Sequence, residues 1–235
     1  MEETVRIECE ECASAKYSII IVDPFLSKAV ETAMKEEMIE RLKKEEVSEA
    51  DIFYGKVLKA PDSQALVAIP EMPYLGELMY TIKAYGIKDF IVLDTATSLR
   101  PLIKVGNYGL VYAAQFNGFP ANYPLVADLG LLTEIMEAMG IPGLVAFTTF
   151  LPRQELPSIL DNLKKRDFDV VDRNSAIVYS LCHGRLRCVV IDFVDSNITK
   201  GIDKYAAWSP ESKYYDSIIN ALSEALNTLL GLELS

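Results

Sequence analysis

Short β-branched apolar runs alternate along the chain with stretches whose apolar residues recur every three or four positions. Residues 17–22 form the first run, closed by Asp23-Pro24, and predict a buried strand. Over 27–46, Val30, Met34, Met38 and Leu42 recur every four positions between charges, which predicts an amphipathic helix. A second run at 65–69 precedes a helix marked by Leu75, Leu78, Met79 and Ile82 and ended by Gly86. Residues 88–93 predict a strand with a polar segment, 94–98, at its carboxyl end. A strand at 109–114 leads into an aromatic, proline-containing loop at 116–124. Asp128 is placed to cap a helix whose inner face is Leu131, Leu132, Ile135, Met136 and Met139, with Gly140 after it. Then follow a strand at 143–147, a helix at 155–165, a short extended segment at 168–171, a helix at 174–182 and a strand at 187–194. A terminal helix at 210–230 is predicted with Ser209 as N-cap, Pro210 in its first position and Gly231 after its end.

Strands alternating with helices at this spacing predict a single α/β domain, a mixed but mostly parallel central sheet flanked by helices. Ligands of such sheets bind beyond the carboxyl ends of the strands, which directs attention to 94–98, 148–150 and 195–197. Neither GxGxxG after a strand nor GxxxxGK[ST] occurs, so dinucleotide and P-loop nucleotide sites have no support.

Charge and composition narrow the chemistry. With 23 Lys+Arg against 34 Asp+Glu, the net charge of −11 disfavours nucleic acid, which needs a basic footprint. His183 is the only histidine, which removes the two-histidine zinc motifs and most Ser–His or Cys–His pairs; beside Gly184 it reads as a helix C-terminal residue. No apolar run reaches the ~18 residues of a membrane span, and the acidic start lacks the basic region of a secretory signal, so a cytoplasmic protein is expected. Cys9 and Cys12 have CxxC spacing, but Cys182 and Cys188 do not supply a second pair at metal spacing. Plain cytosolic thiols are therefore expected, with no metal. Few glutamines beside many Lys and Glu suggest heat adaptation.

The segment YGIKDFIVLDTATSLRPLIKVGNYGLVY at 85–112 resembles the nucleoside phosphorylase family of purine nucleoside and uridine phosphorylases. There a strand delivers a small Gly/Ser/Thr turn and an LxPxIKxGD-like stretch enters the next strand. Five further segments agree in order: 22–28 is similar to the family's GDPxRxx, 117–139 to its substrate loop and following helix, 144–152 to a Ser/Thr-rich strand end, 171–179 to VEMExAxxY, and 194–197 to VSDx. The resemblance spans roughly 17–201.

It implies phosphorolysis of an N-glycosidic bond: phosphate attacks the ribose C1′ as the base departs. Inorganic phosphate would be the co-substrate, with no other cofactor. A nucleoside or nucleobase and phosphate would be the partners, and the protein would be a homo-oligomer (dimer, trimer or hexamer). Carried over residue by residue, the resemblance assigns Thr95 to phosphate or ribose, with Asp172, Arg173 and Asn174 on the ribose motif. Asp195 and Ser196 fall at the catalytic, base-contacting position, and Phe116, Thr148 and Thr149 beside the base. The departures are specific. Val22 stands where the family has Gly, Leu26 and Val92 where it has phosphate arginines, and Asn174 where it has the ribose Glu. Ser196 occupies the base-contacting Asp position, with Asp195 displaced by one; in a regular strand that displacement turns a side chain to the opposite face. Arg100 and Arg173 are the nearest replacement cations.

Structural roles compete at each position. Thr95, Thr97 and Ser98 also suit a self-bonded turn, Asp172 to Asn174 a helix cap, Arg100 a surface contact, and Phe116, Phe119 and Tyr123 an oligomer contact. Three functions follow: a phosphorylase (a pentosyltransferase), a lapsed relative that binds a nucleoside or base or serves as a partner subunit, and a nucleoside hydrolase.

Overall fold

A computed structural model describes residues 9–35, 39, 47–60, 62–71, 73–116, 124–150 and 156–234. Its strands are β1 Tyr17–Ile21, β2 Ser48–Ile52, β3 Gly55–Lys59, β4 Ala65–Pro70, β5 Asp89–Ser98, β6 Tyr108–Phe116, β7 Leu125–Val126, β8 Gly143–Thr148, β9 Val170–Asp172 and β10 Arg187–Asn197. Its helices are α1 Glu10–Ala13, α2 Pro24–Lys35, α3 Leu75–Lys83, α4 Leu129–Met139, α5 Leu156–Lys165, α6 Ser175–Cys182, α7 Lys204–Ala207 and α8 Tyr215–Leu230.

The strands form one sheet in the order β10-β6-β8-β9-β5-β1-β4-β3-β2, and a further β10–β5 pairing closes β5, β9, β8, β6 and β10 into a barrel. Strands β1, β5 and β10 are buried along nearly their whole length, and their amino-terminal halves are accordingly apolar without alternation. Helix α6 packs on β6, β8 and β10, while α2 packs on α8, which also meets β10.

Several expectations are corrected. The sheet is evenly mixed among the described residues, with five parallel pairings and five antiparallel ones, because closing the barrel requires β6 and β9 to run against β10 and β5. The polar segments at 94–98 and 195–197 are strand and not strand-end loop, since β5 and β10 stay paired through Ser98 and Asn197. The β2–β3 hairpin has no Asn-Gly or Asp-Gly signal: its two-residue loop is Phe53-Tyr54, with Tyr54 at φ 70°, a conformation bulky residues rarely adopt. The terminal helix begins at Tyr215 and not at Pro210, and Ser209 does not cap it. Trp208, stacked on Phe25 and bonded to Asp195, fixes the chain before the helix starts. All four cysteines are paired, Cys9 with Cys12 and Cys182 with Cys188, which replaces the expectation of free thiols.

Other local signals are realised as the sequence implies. Asp128 Oδ1 accepts from the Leu131 N–H and caps α4, which Gly140 ends at φ 63°. Helix α2 starts at Pro24, three residues before the expected 27, because Asp23 Oδ1 accepts from the N–H groups of Phe25 and Leu26 and caps it there; 36–38 and 40–46 lie outside the described residues.

Candidate active site

Alternation along β5 sends Thr95 and Thr97 to one face of the sheet and Asp94 to the other, so its polar residues seed two separate clusters.

The first cluster forms where β1, β5 and β10 end beneath α7. Pairing of β10 with β5 slips by one residue between Val194 and Ser196, which makes Asp195 the extra residue of a bulge. The bulge turns consecutive residues Asp195 and Ser196 toward the same cluster, removing the one-residue displacement expected of a regular strand. The Ser196 hydroxyl donates to Asp195 Oδ1 at 2.9 Å and lies 2.8 Å from Thr97 Oγ1. Asp195, wholly buried, accepts through Oδ2 from Trp208 Nε1 and pairs with Lys204 Nζ, each at 3.1 Å. The same ammonium lies 2.5 Å from Asp23 Oδ2 and 2.7 Å from Thr95 Oγ1, and the Thr95 hydroxyl donates to Asp23 Oδ2 at 2.8 Å. Burial alone would lower the Lys204 pKa, yet the carboxylates of Asp195 and Asp23 overcome it and raise the pKa, so Lys204 stays charged. Its ammonium also lies 5.0 Å from the Phe25 ring, which stacks on Trp208 and meets Tyr205 edge-on. These aromatic contacts hold α7 over the strand ends.

The second cluster is carboxylic. Asp94 and Asp192 are cross-strand neighbours on β5 and β10, and Asp172 ends β9 beside them. Asn174 donates to Asp94 Oδ2 at 2.9 Å, the Thr95 N–H to Asp94 Oδ1 at 2.8 Å, and the Thr148 hydroxyl to Asp172 Oδ1 at 2.6 Å. Desolvation pushes the Asp94 pKa up to about 7, reinforced by the charges of Asp172 and Asp23. It pushes Asp192 well above the usual carboxylate range, with Asp172 and Asp94 adding to the rise. Burial raises Asp172 as well, offset in part by the hydrogen bond from the Thr148 hydroxyl. Burial thus favours the protonated, neutral form of Asp192, whose two carboxyl oxygens have no hydrogen-bond partner among the described residues. Among the described residues, no group of three or more His, Cys, Asp and Glu is arranged to hold a metal ion.

The residues singled out from the sequence are thus divided. Thr95, Asp195 and Ser196 join the first cluster, and Asp172, Asn174 and Thr148 the second. Thr149 is buried beside the latter, its N–H donating to the Asp172 carbonyl. Arg100 is drawn away from both, pairing with Asp167 at 3.3 Å and Asp169 at 3.4 Å. Arg173 is exposed and forms no ion pair among the described residues. Phe116 is half-buried and meets Phe150 edge-on at 5.5 Å. Phe119 and Tyr123 lie outside the described residues. Sequence reasoning missed Lys204, Trp208 and Asp192 as participants, and reached Asp94 only as part of the polar segment 94–98. The two aspartates carried a usable signal, an acid inside a Val/Ile run that is buried on both faces.

No protein-family model matches the chain, and no curated protein matches it in sequence. Solved structures match its shape. One is a purine nucleoside phosphorylase from Toxoplasma gondii in complex with immucillin-H, with TM-score 0.70 and 20% identity, covering 94% of this chain and 93% of that one. The fold is that of the nucleoside phosphorylases. A second match, a P. knowlesi homologue of the P. falciparum PNP, has TM-score 0.68 and 15% identity over 97% of this chain and 93% of the other. Both matches cover nearly all of this chain and of the solved structures. No helix among the described residues is long and apolar enough to cross a membrane.

Proposed function

We propose that this protein is a nucleoside phosphorylase-like chain that binds a nucleoside or nucleobase at the carboxyl ends of its strands and does not use phosphate as co-substrate. The observation that carries this reading is the bridge of Asp23, Lys204 and Asp195 around Thr95. Two carboxylates against one ammonium leave the first cluster net negative, and the hydroxyl assigned to phosphate is already bonded to a carboxylate. A phosphate dianion entering there meets repulsion in low dielectric, with Leu26 and Val92 in place of guanidinium groups. A neutral nucleoside meets no such penalty. Tyr205, exposed on α7 beside the first cluster, supplies an aromatic face for its base.

Phosphorolysis is the second reading, favoured by the 2.7 Å approach of Lys204 Nζ to Thr95 Oγ1: an incoming phosphate would take Asp23's place on both groups. Incubation with inosine, adenosine and uridine, with and without phosphate, separates these readings by chromatography of released base. Thermal stabilisation by a nucleoside without base release supports the first. Release that requires phosphate supports the second and overturns the first. Release without phosphate means hydrolysis, and neither release nor stabilisation overturns nucleoside binding itself.

A further inference from the structure

The opposite edge of the sheet carries a different electrostatic pattern. A cleft of about 710 Å3 opens at the amino ends of β1, β5 and β10, lined by Lys16, Lys88, Asp89, Asp128, Arg185 and Arg187. Arg187 is committed to the fold, its guanidinium engaging both carboxylate oxygens of Asp89 and pairing with Glu134 at 3.3 Å. Asp128 caps α4. Lys16, Lys88 and Arg185 are exposed and form no ion pair among the described residues. Lys16, Lys88, Arg185 and Arg187 against Asp89, Asp128 and Glu134 leave the cleft net positive by about one charge, in a chain whose net charge is −11.

The cations are held in place by the backbone. The Arg187 N–H donates to the Lys88 carbonyl at 2.9 Å, tying the two walls together. Arg185 rides on a turn closed by the Cys182–Cys188 disulfide, with Gly184 at φ 70° and the N–H groups of Arg185 and Leu186 both on the Cys182 carbonyl. Leu186 and Leu234 add apolar surface to the lining, and Gly86 and Gly184 complete it with exposed backbone.

We propose that this cleft binds a small phosphomonoester, its dianionic phosphate among Lys16, Lys88 and Arg185 and its organic part against Leu186 and Leu234. Three unpaired cations and a net positive charge suit an anion, ammonium and guanidinium groups are suited to phosphate oxygens, and the volume lies within the range of small-molecule sites. A nucleic-acid strand is disfavoured by the acidity of the rest of the molecule. This site is independent of the candidate nucleoside site, from which the length of the strands separates it.

Calorimetric titration of the full chain at low salt tests the proposal with phenyl phosphate, inorganic phosphate and phenol as probes. Phenyl phosphate is expected to bind more tightly than inorganic phosphate, and phenol not at all. The double variant Lys88→Ala/Arg185→Ala, at exposed positions and with an unchanged melting curve, is expected to lose at least about tenfold in affinity. Arg173→Ala, at the other end of the strands, is expected to bind as the parent does. Absence of binding at millimolar phenyl phosphate overturns the proposal, as does equal affinity in the double variant. Loss of binding in Arg173→Ala moves the ligand to the nucleoside site, and equal affinity for inorganic phosphate overturns the monoester assignment.

Discussion

Lys204 holds together two carboxylates that would otherwise face each other across a buried pocket, one from the end of β1 and one from the bulge in β10. Lys204→Met removes the ammonium counter-ion of Asp195, a carboxylate with no exposure to solvent, and a loss of about 3–5 kcal/mol in urea unfolding is expected. A loss below about 1 kcal/mol would show that the bridge is not a buried charge pair. The carboxylic cluster sets the pH response. Asp94, with its pKa raised to about 7 by burial, binds a proton more tightly folded than unfolded. Its stabilising contribution is therefore complete below the unfolded value near 4 and is lost as pH rises through about 7. Asp192 and Asp172, also raised, act in the same direction. Melting temperature is expected to fall between pH 5 and 8, and Asp94→Asn to flatten that fall. Parallel curves for parent and variant would remove Asp94 as the titrating group.

Elements form here by different kinds of instruction. Helix α4 is local: an Asp cap, an apolar stripe and a glycine stop coincide within one stretch of chain. The β2–β3 hairpin is not, since its loop residues oppose the turn they make and its pairing with β4 holds it. Gly55 shows how close that pairing is, because a Cβ there would sit 2.3 Å from the Ile69 carbonyl oxygen. Gly55→Ala forces backbone apart, and a loss of about 1–3 kcal/mol is expected by thermal or urea unfolding. Unchanged stability would mean that the β3–β4 ladder tolerates more separation than this packing allows.

Over the whole molecule, charge and covalent links act at long range. The −11 net charge is unevenly distributed: a net negative cluster of Asp23, Asp195 and Lys204 lies at one edge of the sheet, and a net positive cleft at the other. The two disulfides close short loops at the margins of the core, and removal of each is expected to cost about 2 kcal/mol by loop-closure entropy. Melting in reductant should therefore occur at lower temperature than without it. Titration of four free thiols in the native, unreduced protein would contradict both links.

Periodicity and caps were enough to give the α/β class, the order of most elements and the chemical character of the strand ends. They draw on forces acting within a few residues, such as β-branched runs that must be buried, apolar stripes and capping side chains. Barrel closure, the even mixture of parallel and antiparallel pairing and the β2–β3 hairpin lay beyond them, because these depend on which strands meet. The site divides along the same line. Thr95, Asp195 and Ser196 were legible as polar residues ending apolar strands, but a sequence gives no sign of a bulge that aims two consecutive side chains alike. Nor does it show that Lys204, far from Asp23 in the chain, takes a place between two carboxylates, or that Arg100 is spent on Asp167 and Asp169. Residue types are written locally, whereas the partner of a buried charge is chosen by the fold that brings distant segments together.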